Sequence, residues 1–130
     1  MGQPLAKQGD QVVATDTHII LVPSPGGPVP TPTPHPFAGI LDASLSADVF
    51  AMGRPTATLG SQAHNMPPHF PIGGSFSKPP TNLAQIITGS PTVTINGKPA
   101  ARNGDTALTC NEPVDLPVGT VVAVGTVMVA

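Results

Sequence analysis

Apolar positions along this chain fall in short β-branched runs and not at helical spacing. Ile19-Ile20-Leu21-Val22, Ile86-Ile87, Thr92 to Ile95 and Val121 to Val129 are such runs, and Gly- and Pro-containing turns recur between them. Short strands between turn residues predict an all-β fold. The pattern is sharpest at Thr92 to Ile95. Asn96-Gly97 follows directly, the pair that a two-residue type I′ turn prefers because both turn positions need positive φ. A return strand is expected over Lys98 to Arg102, closed by a second turn at Asn103-Gly104-Asp105. Pro99 cannot donate to a ladder, so that strand should be an edge or carry the proline on a non-bonded side. Ala38 to Ala51 comes nearest to helical spacing, and Leu41 to Val49 is expected to form a turn or two of helix.

The hairpin has a weaker echo. Val49 to Ser61 aligns with Thr94 to Asp105, sharing an apolar strand, a Gly, a basic residue, a Pro, small residues and a Gly before a polar turn residue. Gly119 to Val129 reads as a third partial copy, and Gly9-Asp10 followed by Gln11 to Val22 as an opening unit. Between these units lie Pro/Gly-rich insertion loops at about 23–47 and 65–83. Pro23 to Pro36, with proline at nearly every second position, is expected to be an extended polyproline-like surface loop.

Composition changes the picture in one respect. In 130 residues there are 18 Pro, 14 Gly, four Phe and no Trp or Tyr, so the core is thin and a staple is expected. One cysteine cannot make an intrachain disulfide, which leaves a metal. Four His and Cys110 are available, and imidazole and thiolate suit tetrahedral zinc. They lie tens of residues apart, so spacing alone does not single out a ligand set. A formal charge of −2 without a Lys/Arg cluster disfavours nucleic acid or anionic lipid as the main partner. No signal peptide opens the chain, and Val118 to Ala130, its longest apolar run, is too short to span a bilayer.

Gly89-Ser90-Pro91-Thr92-Val93 together with Ile95-Asn96-Gly97-Lys98-Pro99-Ala100-Ala101-Arg102 and Gly104-Asp105 resembles the Pro-Ala-Ala-Arg signature of PAAR-repeat proteins. These are the spike tips of type VI secretion and related contractile injection systems. The resemblance covers nearly the whole chain as a single domain, 1–130, with no room for a toxin extension. It implies a small zinc-stapled cone of β-hairpin repeats with approximate threefold symmetry and long Pro/Gly-rich loops. It implies a structural Zn²⁺ held by three His and one Cys. Carried over by position, these are His18 after Asp16-Thr17, His64 after Ala63, His69 after Pro68, and Cys110 beyond Asp105. His18 sits eight residues past Asp10, and the first repeat ends in Gly60-Ser61 where Gly-Asp is expected, so His35 is an alternative to one of these ligands. By itself His35, flanked by prolines, reads as a solvated loop residue, and Cys110 as a small buried hydrophobe. Arg102 is either an anchor for turn carbonyls or a contact at the base.

The implied partner is a trimeric VgrG-type spike, capped by one copy per trimer, with secreted effectors as further cargo and only transient contact with a target membrane. The implied route is assembly in the cytoplasm and delivery outside the cell or into a target cell with the spike. No enzyme signature competes. Gly89 to Lys98 lacks the spacing of a phosphate loop, and no Gly-x-Ser-x-Gly elbow occurs. Two other readings use the same residues: a small zinc hydrolase with Asp16 as its base, and a metal-free β-adaptor that binds partners through its proline-rich loop.

Overall fold

A computed structural model describes residues 2–130. Thirteen strands follow in order: β1 (Gln3–Pro4), β2 (Gln11–Val22), β3 (Val29–Ala43), β4 (Phe50–Ala51), β5 (Arg54–Pro55), β6 (Gln62–Asn65), β7 (Ser75–Phe76), β8 (Leu83–Ile86), β9 (Thr94–Ile95), β10 (Lys98–Pro99), β11 (Thr106–Thr109), β12 (Leu116–Val122) and β13 (Met128–Val129). No helix occurs among the described residues. Six strands pair in the order β12-β11-β8-β6-β3-β2, and β12 pairs with β2 to close the ring. Each of the six strands thus has a neighbour on both sides, with β3 paired to β6 only from Gly39 on. The result is all-β, as the short strands and turns predicted, and a barrel-like cone, as the family resemblance implied.

Alternation along β2 and β3 builds the wall. Val12, Asp16, His18 and Ile20 are buried on one face of β2, while Gln11, Val13 and Thr15 are exposed on the other. His35, Phe37, Gly39 and Leu41 do the same on β3. A six-stranded barrel has little room inside. Ala63, Ala84 and Ala107, fully or almost fully buried, fill it alongside Val12, Phe37, Leu41, Ile86 and Val121. At Gly39 a Cβ would sit 2.6 Å from the Phe37 ring, so the strand needs glycine for that ring to turn inward.

The proline-rich stretch is a strand and not a surface loop. Pro30, Pro32, Pro34 and Pro36 pair with Leu21, Ile19, Thr17 and Thr15 of β2. Their spacing of two places every missing N–H on the same side of the strand, and no other strand pairs with β3 before Gly39. Thr31, Thr33 and His35 occupy the alternate positions and face inward. The insertion expected at 23–47 thus shrinks to a tight turn before β3 and a bend after it, and His35 becomes 1% exposed. The short helix expected over Leu41 to Val49 is absent, because β3 continues to Ala43.

Three turns of one design close one end of the barrel. They are Pro4-Leu5-Ala6-Lys7-Gln8-Gly9-Asp10, Pro55-Thr56-Ala57-Thr58-Leu59-Gly60-Ser61 and Pro99-Ala100-Ala101-Arg102-Asn103-Gly104-Asp105. Each glycine is left-handed, with φ of 91°, 94° and 91°. In each turn the last side chain accepts the N–H three residues back: Asp10 from Lys7 (3.1 Å), Ser61 from Thr58 (2.9 Å) and Asp105 from Arg102 (2.7 Å). The middle alanines are fully buried. They donate in a cycle, Ala6 to Ala101, Ala57 to Ala6 and Ala101 to Ala57, at 2.9–3.0 Å. That cycle is the approximate threefold symmetry.

A two-stranded ribbon precedes two of the turns and straddles the third: β4–β5, β9–β10, and β1–β13. Asn96 and Gly97 have φ of 53° and 79°, as the type I′ turn requires, and Met52-Gly53 repeats this at 52° and 78°. The third copy differs from the sequence reading. Gly119 to Val122 belongs to barrel strand β12, and the third unit is assembled from both termini, since β1 pairs with β13.

Candidate metal centre

The turns stand where β2, β6 and β11 begin and where β3, β8 and β12 end. A polar cluster lies toward the opposite ends of these strands. Asp16 and His18 reach it because they are two residues apart on one face of β2. His35 lies directly across the ladder from Asp16. Cys110 arrives just after β11, and His69 folds in from the loop after β6, where its N–H donates to Asn82 Oδ1 (2.7 Å).

Asp16, His18, His69 and Cys110 are buried and offer four donor atoms within 4.8 Å of one another. Cys110 Sγ is 3.7 Å from His18 Nε2 and 3.5 Å from Asp16 Oδ2. His69 Nε2 is 2.9 Å from the same Oδ2. The other oxygen, Asp16 Oδ1, accepts from the Thr109 hydroxyl and from Asn111 Nδ2 (3.3 Å), so the carboxylate is fixed. The rings of His18, His35 and His69 form a near-equilateral triangle, with centroids 4.9, 5.5 and 5.5 Å apart. Phe76 walls off His18 and His35, and Phe37 packs against His69.

Two atoms show that the cluster is chemically incomplete by itself. His18 Nδ1 and His35 Nε2 are buried without a hydrogen-bond partner. A buried, unpaired polar atom costs roughly 1–3 kcal/mol. At His35, Nδ1 donates to the Thr33 carbonyl (2.9 Å), which leaves the Nε2 lone pair free inside the protein. Burial pushes the His18 imidazole below its ordinary pKa, with His69 beside it adding to the effect. Burial likewise raises the Cys110 thiol, and the Asp16 carboxylate adds to that. The His18 ring is thereby kept neutral and able to donate a lone pair, and a cation beside the sulfur would offset the cost of its thiolate. A buried Asp/His/His/Cys group of this kind can bind a metal ion.

His64 is elsewhere. On β6 the inward positions are Ala63 and Asn65, so His64 faces outward, with its side chain 48% exposed and its Nδ1 2.7 Å from Asp42. The structure does not bring it to the cluster, whereas the buried His35 ring lies 5.5 Å from those of His18 and His69. That burial overturns the reading of His35 as a solvated loop residue. Asp16 was visible only as a neighbour of His18, although its spacing of two already put both residues on one strand face. Asn65, Asn82 and Asn111, which hold the loops, give no local signal. Arg102 Nε lies 3.3 Å from Asp105 Oδ1 within the turn, a contact to a carboxylate and not to turn carbonyls.

No curated protein matches this chain. The PAAR motif matches residues 21–114 and again 76–129, spans that take in two of the three turns, the whole barrel except β2 up to Ile20, and every member of the cluster except Asp16 and His18. Together with the signature at Pro99 to Arg102, this coverage makes the chain a member of the PAAR-motif family, the structural spike-tip proteins of contractile injection systems.

Proposed function

We propose that this protein caps the threefold end of a trimeric VgrG-type spike, one copy per trimer, and leads it through a target membrane. The observation that carries this reading is the cyclic set of alanine hydrogen bonds. One asymmetric chain gives three like turns and three like ribbons around one axis, so it meets three identical subunits equivalently. Two of the three ribbons add exposed apolar side chains, Phe50 and Met52 on β4–β5 and Met128 on β13, each 57% exposed. Such side chains suit burial against a partner. The opposite end, which holds the polar cluster, is then the leading point.

At that point a structural zinc would be held by His18, His35, His69 and Cys110, with the Asp16 carboxylate beside them as the second negative charge. Support comes from the triangle of imidazoles, the unpartnered Nε2 of His35 and the thiol among them. Three His and one Cys close a tetrahedral zinc site with no position for water, which suits a structural role. Bound zinc supplies cohesion, on the order of 10 kcal/mol in small zinc-folded domains. Here it would tie the β2–β3 hairpin, the His69 loop and the Cys110 segment together. Secreted effectors would travel attached to the same tip.

The capping proposal is tested by mixing the protein with candidate trimeric spikes and weighing the complexes by native mass spectrometry. One copy per trimer is expected. Three copies per trimer would refute it, since the pseudo-threefold chain should cover the whole end.

A further inference from the structure

We infer that Glu112 is a positioning residue for the metal centre, holding the His18 ring so that Nε2 faces the cluster. The inference rests on the zinc reading above. His18 presents Nε2 toward Cys110 and turns Nδ1 the other way, where it has no hydrogen-bond partner although the ring is 1% exposed. The carboxylate facing that nitrogen is Glu112, with Oε1 3.6 Å away and its side chain 10% exposed.

The carboxylate is delivered there by the backbone and does not drift in from solvent. Residues 111 and 112 lie along β2 on both sides of His18. Asn111 Oδ1 accepts the Thr17 N–H (2.7 Å), the Glu112 N–H donates to the Thr17 carbonyl (2.9 Å), and Glu112 Oε1 accepts the Ile19 N–H (3.0 Å). The segment that brings Cys110 to the cluster thus brings Glu112 to the back of His18. A histidine that ligates a metal through one nitrogen commonly donates its other N–H to a carboxylate, which fixes tautomer and ring angle. Glu112 is placed for that task, with Oε1 on the Nδ1 side of the ring at 3.6 Å. Asp16 cannot serve, because it faces the other side of the ring group, with its oxygens on Thr109, Asn111, His69 and Cys110.

The test is zinc affinity by chelator competition for the full chain, with E112Q, E112A and the exposed-loop control D115N. E112A is expected to bind about 10–100-fold more weakly, E112Q to lie between it and wild type, and D115N to match wild type. Cobalt-substituted wild type and E112Q should show the same tetrahedral, thiolate-containing absorption, since no ligand is removed. A role confined to bracing the Ile19 N–H is separated by a double-mutant cycle: in an H18A background, E112A should cost nothing further. Wild-type affinity in E112A, or an equal loss with and without His18, would overturn the inference. A wild-type chain that takes up no zinc would instead remove the reading beneath it.

Discussion

Asp105→Ala tests whether the three turns are mechanically equivalent. Asp105 is 4% exposed. Its Oδ2 accepts the Arg102 N–H at 2.7 Å, while Oδ1 takes the Thr88 hydroxyl (3.0 Å) and Arg102 Nε (3.3 Å). Truncation leaves the Arg102 N–H without an acceptor inside the turn, a loss of about 1–3 kcal/mol. The Arg102 guanidinium is partly exposed and its ion pair adds no more than about 1 kcal/mol. The Thr88 hydroxyl can turn to water. The total is about 1–4 kcal/mol.

The middle turn supplies the control, because there Ser61 Oγ makes the matching bond to Thr58 N–H at 2.9 Å. D105S therefore keeps the essential acceptor and should cost only about 1 kcal/mol, the share left to the Thr88 and Arg102 contacts. Equilibrium urea unfolding at one fixed zinc concentration reads both. In a parallel thermal melt, midpoints should fall by roughly 3–16 °C for D105A and, by less than D105A, roughly 3–4 °C for D105S in a chain of this size. Equal loss in the two variants, or a D105A midpoint close to wild type, would refute the claim that the turn is held by an acceptor at this position.

Two further outcomes follow from the cluster. H35A should lose stoichiometric zinc by elemental analysis while H64A keeps it, because His64 lies outside on Asp42; retention by H35A with loss by H64A would reverse the assignment. In chelator, urea midpoints should fall below about pH 6.5 and again above about pH 9.0, the ordinary values for the two groups. Unfolded His18 takes a proton that the buried ring resists, and unfolded Cys110 releases one that the buried thiol keeps, so the unfolded state gains at each end.

Local chemistry made the β9–β10 hairpin legible, because Asn-Gly and the β-branched run before it act within a few residues. The repeat at Pro55 to Ser61 was legible for the same reason. Its N-terminal counterpart was seen only as Gly9-Asp10 opening a unit, because only the turn Pro4 to Asp10 lies there; half its ribbon is β13, at the far end of the chain. The proline-rich segment was misread because proline is informative about hydrogen bonding and not about pairing. With prolines on alternate positions the bonded side of the strand stays intact, and the inward Thr31, Thr33, His35 and Phe37 form an alternation that could have been read.

The buried cluster was only partly legible because the two ends of the barrel follow different rules. At the turn end the three units are equal, so a repeat alignment places every residue. Toward the cluster two units still agree: His18 lies eight residues past Asp10 and His69 eight past Ser61. The third delivers Cys110 five past Asp105, within a segment that folds back along β2. His35 has no counterpart in any repeat, since it belongs to a 15-residue return strand where β6, β8 and β11 have four residues each. The lengthened β2–β3 hairpin breaks the threefold symmetry and brings a third imidazole to one side of the axis. A point built this way gains a site that the equal turns cannot supply. It also explains why His64, aligned in sequence with the inward-facing segment, is turned outward by the two-residue period of its own strand.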